Sequence, residues 1–568
     1  MKQQLTQWMC LLLALLVLTG CGASVEPTTA PEESGAALDI PAEEPEVVPE
    51  AAPAWTMEDL EQQLAELSAL GTSPDDNYRV WYEIFVYSFC DSDGDGIGDL
   101  QGVISKLDYL QELGINGIWL MPVHPSTSYH KYNVGDYYAI DPAYGTMEDM
   151  ETLLDQCAQR GIRVILDLVV NHTGYDHVWF QTAAEYLRGL PAGQQPDPAA
   201  CPYVEYYFFN QEGGAGYHSI EGSDWYFEGQ FSPDMPDLNL DSPAVRQEIE
   251  AIMAFWLEKG AAGFRLDAAK EFFTGQVSKN VEVLSWLQQT AQALKPDAYL
   301  VAEVWEGFNS VAQYYASGIT SLFNFPFANT EGKITQVLRG AGNAATVSTY
   351  ATALEKADTA YRAANPDYID APFLSNHDVG RIAGFANREE SKIKLGGAMN
   401  ILMGGSCFIY YGEELGMVGS GNDPSKRAPM VWNDNRDSGT TQPPPECELP
   451  EEYPFGSLER QAEDPASIYN YYRQAIAIRK ALPVISHGIP TAEAALNVGC
   501  VSAQRKTWGE ETCLILMNID NQSAQVDLSA YADWNLTASL SADGGAITLN
   551  GTMLDLPPCG VAILMPAA

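Results

Sequence analysis

From about residue 78 the chain alternates between two hydrophobic rhythms. Runs of five to seven largely apolar residues occur at 81–87, 116–121, 163–169, 262–266, 298–303, 320–324, 370–374 and 405–411. Their length and their β-branched and aromatic content read as buried strands. Between most of them, as at 101–113 and 147–160, apolar residues recur every three or four positions, the period of a helix with one buried face. Eight strand-then-helix units predict a closed (β/α)8 barrel, an α/β fold whose functional residues sit at the C-terminal ends of the strands.

Three stretches depart from that rhythm. Residues 56–70 place Met57, Leu60, Leu64 and Leu67 on one helical face, with Thr56 positioned to cap the helix. After the third strand, 173–240 is rich in aromatic, Gly, Pro and Asp residues and shows little helical period. So long a connection at the C-terminal face predicts an inserted domain B forming one wall of a cleft. Beyond a helix at 466–481 the pattern becomes short strands at 500–503, 512–518, 525–528 and 561–565, split by turns. These predict a C-terminal β-sandwich over 490–568, leaving 55–485 as the barrel body.

The first 54 residues read differently. Lys2 precedes an apolar run from Met9 to Leu18, too short to cross a bilayer, as in a signal peptide over 1–20. It ends in Leu18-Thr19-Gly20-Cys21, which resembles the lipobox of bacterial lipoproteins and implies a lipid on Cys21. Residues 21–54 are rich in Pro, Glu and Ala and read as a solvated linker, able to reach roughly 100 Å. The expectation is an exported protein at the cell surface, touching the bacterial membrane only through this anchor.

Charge and cysteines narrow the partners. With 76 acidic against 30 basic residues the net charge is -46, which repels nucleic acid and anionic lipid and attracts calcium. A neutral substrate is indifferent to it. Beyond Cys10 and Cys21, eight cysteines stand far apart with no CxxC pair, so zinc spacing is absent. Cys157 and Cys407 fall in apolar patterns and read as core; whether Cys500 and Cys513 pair is left open.

Chemistry concentrates at four strand ends: DLVVNH at 167–172, GFRLDAAKE at 263–271, VAEVW at 301–305 and FLSNHD at 373–378. Asp267, Glu303 and Asp378 stand out among them. Two carboxyl groups flanking one bond are what glycoside hydrolysis requires. Arg265 and Asp267 lie two apart on a strand and so face the same way. The loop DSDGDGIGD at 91–99 offers alternating carboxylates suited to calcium, but its twelfth position is Gly102, so it is no EF-hand.

These motifs, in this order, resemble the α-amylase family of glycoside hydrolases (family 13), over nearly the whole chain from residue 78. The resemblance implies a barrel with a domain inserted after strand three and a C-terminal sandwich. It also implies retaining hydrolysis of α-linked glucans through a covalent glycosyl-enzyme. Asp267 then matches the nucleophile, Glu303 the general acid/base, with a pKa raised by Asp267, and Asp378 the carboxylate that binds two hydroxyls of the sugar being cleaved. Arg265 would hold Asp267 through charge-assisted hydrogen bonds, and Asp167 would support Arg265. His172 and His377 would bond the same sugar as neutral rings, and Tyr132 would stack on it, with His130 lining the pocket. Asn133 stands where the family often has Asp. Lys270 would meet the sugar on the leaving side. Asp91, Asp93, Asp95, Asp99 and the Ile97 carbonyl would hold a structural Ca2+, and Asn171 holds a second calcium in some amylases.

Within the family, Ala268 after the nucleophile and Lys270 favour α-1,4 bonds in starch, glycogen or maltooligosaccharides, hence an α-amylase. Glu271, where amylases usually have His, and MPDLN at 235–239 keep a cell-surface α-glucosidase, a neopullulanase-like enzyme or a glucanotransferase open. A glucan-binding lipoprotein without activity is disfavoured, since all three carboxylates are present.

Overall fold

A computed structural model describes residues 55–567 except Ala192. The signal segment, Cys21 and the rest of the 21–54 linker lie outside the described residues.

Seven parallel strands curl into a single sheet: Val80–Ile84, Gly117–Leu120, Arg163–Leu168, Gly263–Leu266, Tyr299–Ala302, Ser321–Leu322 and Cys407–Tyr410. The last pairs back onto the first, Val80 against Cys407. The expected strand at 370–374 fills the gap without forming a regular ladder. Ala371 bridges Phe323, the Asn324 N–H donates to the Ala371 carbonyl, and the Phe408 N–H donates to the Pro372 carbonyl. Pro372 has no N–H to return, so the segment serves mainly as an acceptor, and the ring closes as a TIM barrel.

Alternation along the strands sorts the interior. Trp81, Trp119, Ile165, Val301, Phe323, Phe373 and Phe408 fill the barrel as one apolar cluster. Two residues further along three of these strands the inward positions become Glu83, Asp167 and Glu303, and on the fourth strand Arg265 and Asp267. The fourth strand opens at Gly263, whose φ of +150° suits only glycine. A Cβ there would lie 1.9 Å from the Tyr299 carbonyl oxygen. That closeness brings the strand bearing Arg265 and Asp267 against the one that ends at Glu303, with Arg265 paired to Val301 in register.

Several boundaries differ from expectation. The first strand stops at Ile84 and passes into a short helix, Val86–Phe89. The helix expected at 101–113 is two, Leu100–Ser105 and Leu107–Leu113, divided at Lys106, whose N–H reaches back to Val103. The inserted segment contains an unexpected helix, Val178–Arg188, which buries Trp179, Phe180, Ala183, Ala184 and Leu187. Its N-cap is His177, whose ring nitrogen accepts the Trp179 N–H at 3.2 Å. A three-stranded sheet of Phe209–Asn210, Tyr226–Glu228 and Tyr217–Ser219 completes the insertion.

The C-terminal region is a sandwich of a five-stranded and a three-stranded antiparallel sheet. Strand Glu511–Asn518 is buried on both faces, which explains its unbroken apolar sequence. Leu514 and Leu516 meet the second sheet, whereas Cys513, Ile515 and Met517 join the core shared with the barrel. Helix Met57–Leu70 starts with a Thr56–Asp59 capping box and buries Leu60 and Leu67. It packs on Ile468–Ala481, where Glu61 pairs with Arg473 at 3.0 Å. All eight described cysteines are free, Cys500 and Cys513 included.

The Gly263 contact gives the first prediction. Gly263→Ala should cost about 3 kcal/mol or more, because backbone must move to admit the methyl. A urea midpoint equal to the wild type would refute the close approach.

Candidate active site

The side chains at the strand ends assemble around one buried cation. Arg265 has no exposed surface. Its Nη1 donates to Asp167 Oδ1 at 2.9 Å and to Asp267 Oδ1 at 2.6 Å, and its Nη2 pairs with Glu303 Oε2. Register explains the first contact, since Asp167 and Arg265 are paired neighbours. Asp167 also accepts from Tyr132 Oη at 3.0 Å and Trp119 Nε1 at 3.3 Å, so this floor carboxylate is fully engaged. Ala268, just after Asp267, has φ of +45°, a left-handed backbone for a non-glycine residue. That turn aims its N–H at Glu303 Oε2, 3.2 Å away.

Above this floor lies a cleft of about 960 Å³. Asp267, Glu303, Asp378, Tyr132, His130, His172, Lys270 and His377 all line it, whereas Asp167 and Arg265 sit beneath. The expected site residues of these motifs are therefore brought together. Trp305 and Phe231, 42% and 51% exposed, add aromatic faces to the walls, and Phe231 stands edge-on to His172. Lys270 Nζ pairs with Glu306 at 3.2 Å. Asn133 turns away, its amide donating to the Asp234 carbonyl. Glu413 and Glu414, near the end of the eighth strand, are buried among Tyr472, Tyr82 and Tyr109 and stay out of the cleft.

Electrostatics separate the carboxyls. Burial lifts the Glu303 pKa to about 7, with Asp267 and Asp378 adding to the rise and Arg265 opposing it. Loss of water is the larger cause, with the expected contribution of Asp267 behind it. Burial likewise lifts Asp167 to about 6 against the pull of Arg265. Burial would raise Asp378 too, but His377 and Arg427 outweigh it and hold that carboxyl well below the usual range. Arg427, which the motifs did not single out, donates to Asp378 Oδ1 at 3.0 Å, to Tyr129 Oη and to the His377 carbonyl.

The two histidines of the motifs differ. Burial lowers the His172 pKa, and its Nε2 has no partner among the described residues, as suits a neutral ring facing the cleft. His130 is likewise lowered, to about 4, by burial. His377 departs from the expected neutral form. Burial alone would lower its pKa, but Asp378 and Glu83 raise it to about 9, toward the charged form. Its Nδ1 lies 2.6 Å from Glu83 Oε1 and its Nε2 2.9 Å from Asp378 Oδ2. Glu83 was also missed. The only hint in sequence is one acidic residue within the apolar run VWYEI.

The acidic loop at 91–99 lies apart from this cleft. Asp91, Asp93 and Asp99 bring one carboxylate oxygen each within 4.8 Å of one another. Three converging hard oxygen donors fit Ca2+ better than a softer metal. Asp95 is not among them; its Oδ1 accepts the Ile97 N–H at 2.7 Å. Asn171 donates its amide to Asp237 and lies beside the His172 ring.

Comparison with known proteins agrees with this geometry. The family model of the α-amylase catalytic domain matches residues 83–488. A relative named alpha-amylase 3, from Dictyoglomus thermophilum, is 40% identical over 416 residues, covering 72% of this chain and 78% of its own length. Maltase 1 of Drosophila virilis is 30% identical over 541 residues, 81% of each protein. Among solved structures, Eubacterium rectale Amy13B superimposes with a TM-score of 0.86 at 42% identity, covering 90% of this chain and 99% of its own. An α-amylase from H. orenii follows at 0.75 and 33%, covering 86% and 100%. The barrel, the cleft at its strand ends and these matches along most of the sequence lead to one assignment: the chain belongs to the α-amylase family of glycoside hydrolases.

Proposed function

We propose that the enzyme hydrolyses α-1,4-glucosidic bonds in starch, glycogen or maltooligosaccharides with retention, as an α-amylase. The observation that carries this reading is the Asp267–Glu303 pair gripped by adjacent nitrogens of one guanidinium on the cleft floor. Carboxyls so held stay close, which favours a retaining pair (roughly 5 Å apart) over an inverting one (roughly 6.5–9.5 Å apart). The 40% and 42% identical relatives, one named an α-amylase and the other Amy13B, support the substrate class.

Asp267 attacks the anomeric carbon while Glu303, in its acid form, gives its proton to the departing glycosidic oxygen. The C–O bond of the glucan breaks and an ester to Asp267 forms. Glu303, now a carboxylate, takes a proton from water, whose oxygen displaces Asp267 and restores the starting state. Arg265 keeps both carboxyls in place through the cycle. Asp378, His172, His377 and Tyr132 bind the sugar being cleaved, and Lys270 meets the leaving side.

Glu303→Gln should lower kcat by about 10²- to 10⁴-fold. Its folded pKa near 7 lies above the ordinary value, so the acid form is present below 7 and is lost above it. The wild-type rate should therefore fall as pH rises through about 7. A Glu303→Gln enzyme as fast as the wild type would overturn the assignment.

Early products from soluble starch test the bond-cutting mode. A broad ladder of maltooligosaccharides is expected. Glucose or one short product would instead favour the α-glucosidase reading, which relatives named maltase and glucan 1,6-alpha-glucosidase keep in view.

Asp91, Asp93 and Asp99 would hold a Ca2+ that braces the loop after the first strand; no step of the reaction passes through it. Removing calcium with a chelator should lower the melting temperature, and Asp93→Asn should reduce that response. An unchanged melt together with no bound metal by elemental analysis would sink the calcium reading.

A further inference from the structure

Glu83 is buried, lies at the end of the first strand and has no part in the steps above. Its Oε1 sits 2.6 Å from His377 Nδ1, while the other ring nitrogen, Nε2, sits 2.9 Å from Asp378 Oδ2. With Glu83 and Asp378 both ionised, two carboxylate oxygens on the two nitrogens of one imidazole leave a single arrangement without opposed lone pairs, a proton on each nitrogen; burial raises the Glu83 pKa, and His377 and Arg265 oppose that rise. The Tyr132 hydroxyl points the same way. It has one hydrogen and three partners, donating to Asp167 Oδ2 at 3.0 Å and receiving from Arg265 Nη1 at 3.3 Å. Its 2.7 Å contact with His377 Nε2 then needs a hydrogen from the histidine.

We infer that Glu83 is a positioning residue that holds His377 doubly protonated, so that Nε2 always presents an N–H to the Tyr132 and Asp378 oxygens at the sugar site. This rests on the proposed function, in which His377 binds the sugar being cleaved. Without Glu83, the Nδ1 proton loses its acceptor and the ring becomes neutral, which weakens the Nε2–H donor and its hold on the Asp378 carboxylate. Other charged or titratable groups face the ring from every side: Asp167 and Arg265 below, Glu303 across the cleft, and His130 and Arg427 above. Burial opposes a charged histidine, which is why a second carboxylate is needed beyond Asp378.

The test reads the ring directly, in full-length protein with ¹⁵N-labelled histidine. Only seven histidines contribute, and His377→Gln identifies the signal. In the wild type both ring nitrogens should be protonated at pH 7, with a titration midpoint near 9. Glu83→Gln keeps the shape and an acceptor oxygen but removes the charge. It should move the midpoint down by about one to three pH units, and lower kcat roughly tenfold or more while KM changes less. Glu83→Asp, which restores the charge, should recover the high midpoint. Glu303 itself titrates near 7, so the ring signal and not the rate profile decides the matter. A neutral His377 in the wild type at pH 7 overturns the inference without any variant, even if Glu83→Gln fails to fold. An unchanged midpoint in a folded Glu83→Gln protein overturns it as well. A protein that left starch uncut but kept a charged His377 would defeat the proposed activity and leave this inference standing.

Discussion

Arg265 lies wholly out of water, and a guanidinium there is tolerable only if carboxylates surround it. That requirement organises the open end of the barrel. Asp167, Asp267 and Glu303 come from three adjacent strands, and each is drawn to the same cation. Removing one partner from such a cluster typically costs about 3–5 kcal/mol, because the others are left uncompensated. The catalytic geometry and the stability of the strand ends are thus one problem. It is solved by strand register, close packing at Gly263 and a left-handed turn at Ala268.

Charge is distributed unevenly over the four carboxyls that could serve this site. Burial pushes Glu303 toward the acid form, whereas His377 and Arg427 pin Asp378 in the charged form. Groups of the same chemical type become suited to different tasks by what stands next to them. The chain as a whole is strongly acidic, yet Arg265 and Arg427 stand where carboxylates must be held without mutual repulsion.

Much of this was legible in the sequence because the relevant signals are local. Alternation along a strand followed by an abrupt Asp or Glu marks a strand end, and Asp167, Asp267 and Glu303 follow that rule, with Arg265 two residues before Asp267. Asp378 and His377 sit beyond a segment that the pattern gave as an ordinary strand, although Pro372 denies it a full ladder. What could not be read depends on partners distant in sequence. Glu83 looks like one polar residue in an apolar run until His377, 294 positions later, is brought against it. Arg427 meets Asp378 across 49 positions, in a loop with no strand-end signature. The charge on His377 depends on both carboxylates at once. Helix Val178–Arg188 was hidden for a different reason: its apolar residues are bulky aromatics and alanines, and its cap is a histidine.

The order of strands in the C-terminal sheet bears on how the protein is made. Val561–Pro566 lies in the middle, flanked by Glu511–Asn518 on one side and Trp534–Leu540 on the other. Neither neighbour can complete its ladder until those residues have left the ribosome. Glu511–Asn518 in turn covers apolar surface of the barrel, so the barrel's own coat is finished only once residues 561–566 have been made. A nascent chain halted shortly before residue 561 would carry every catalytic side chain and still present open strand edges to its neighbours, the condition under which β-rich intermediates associate.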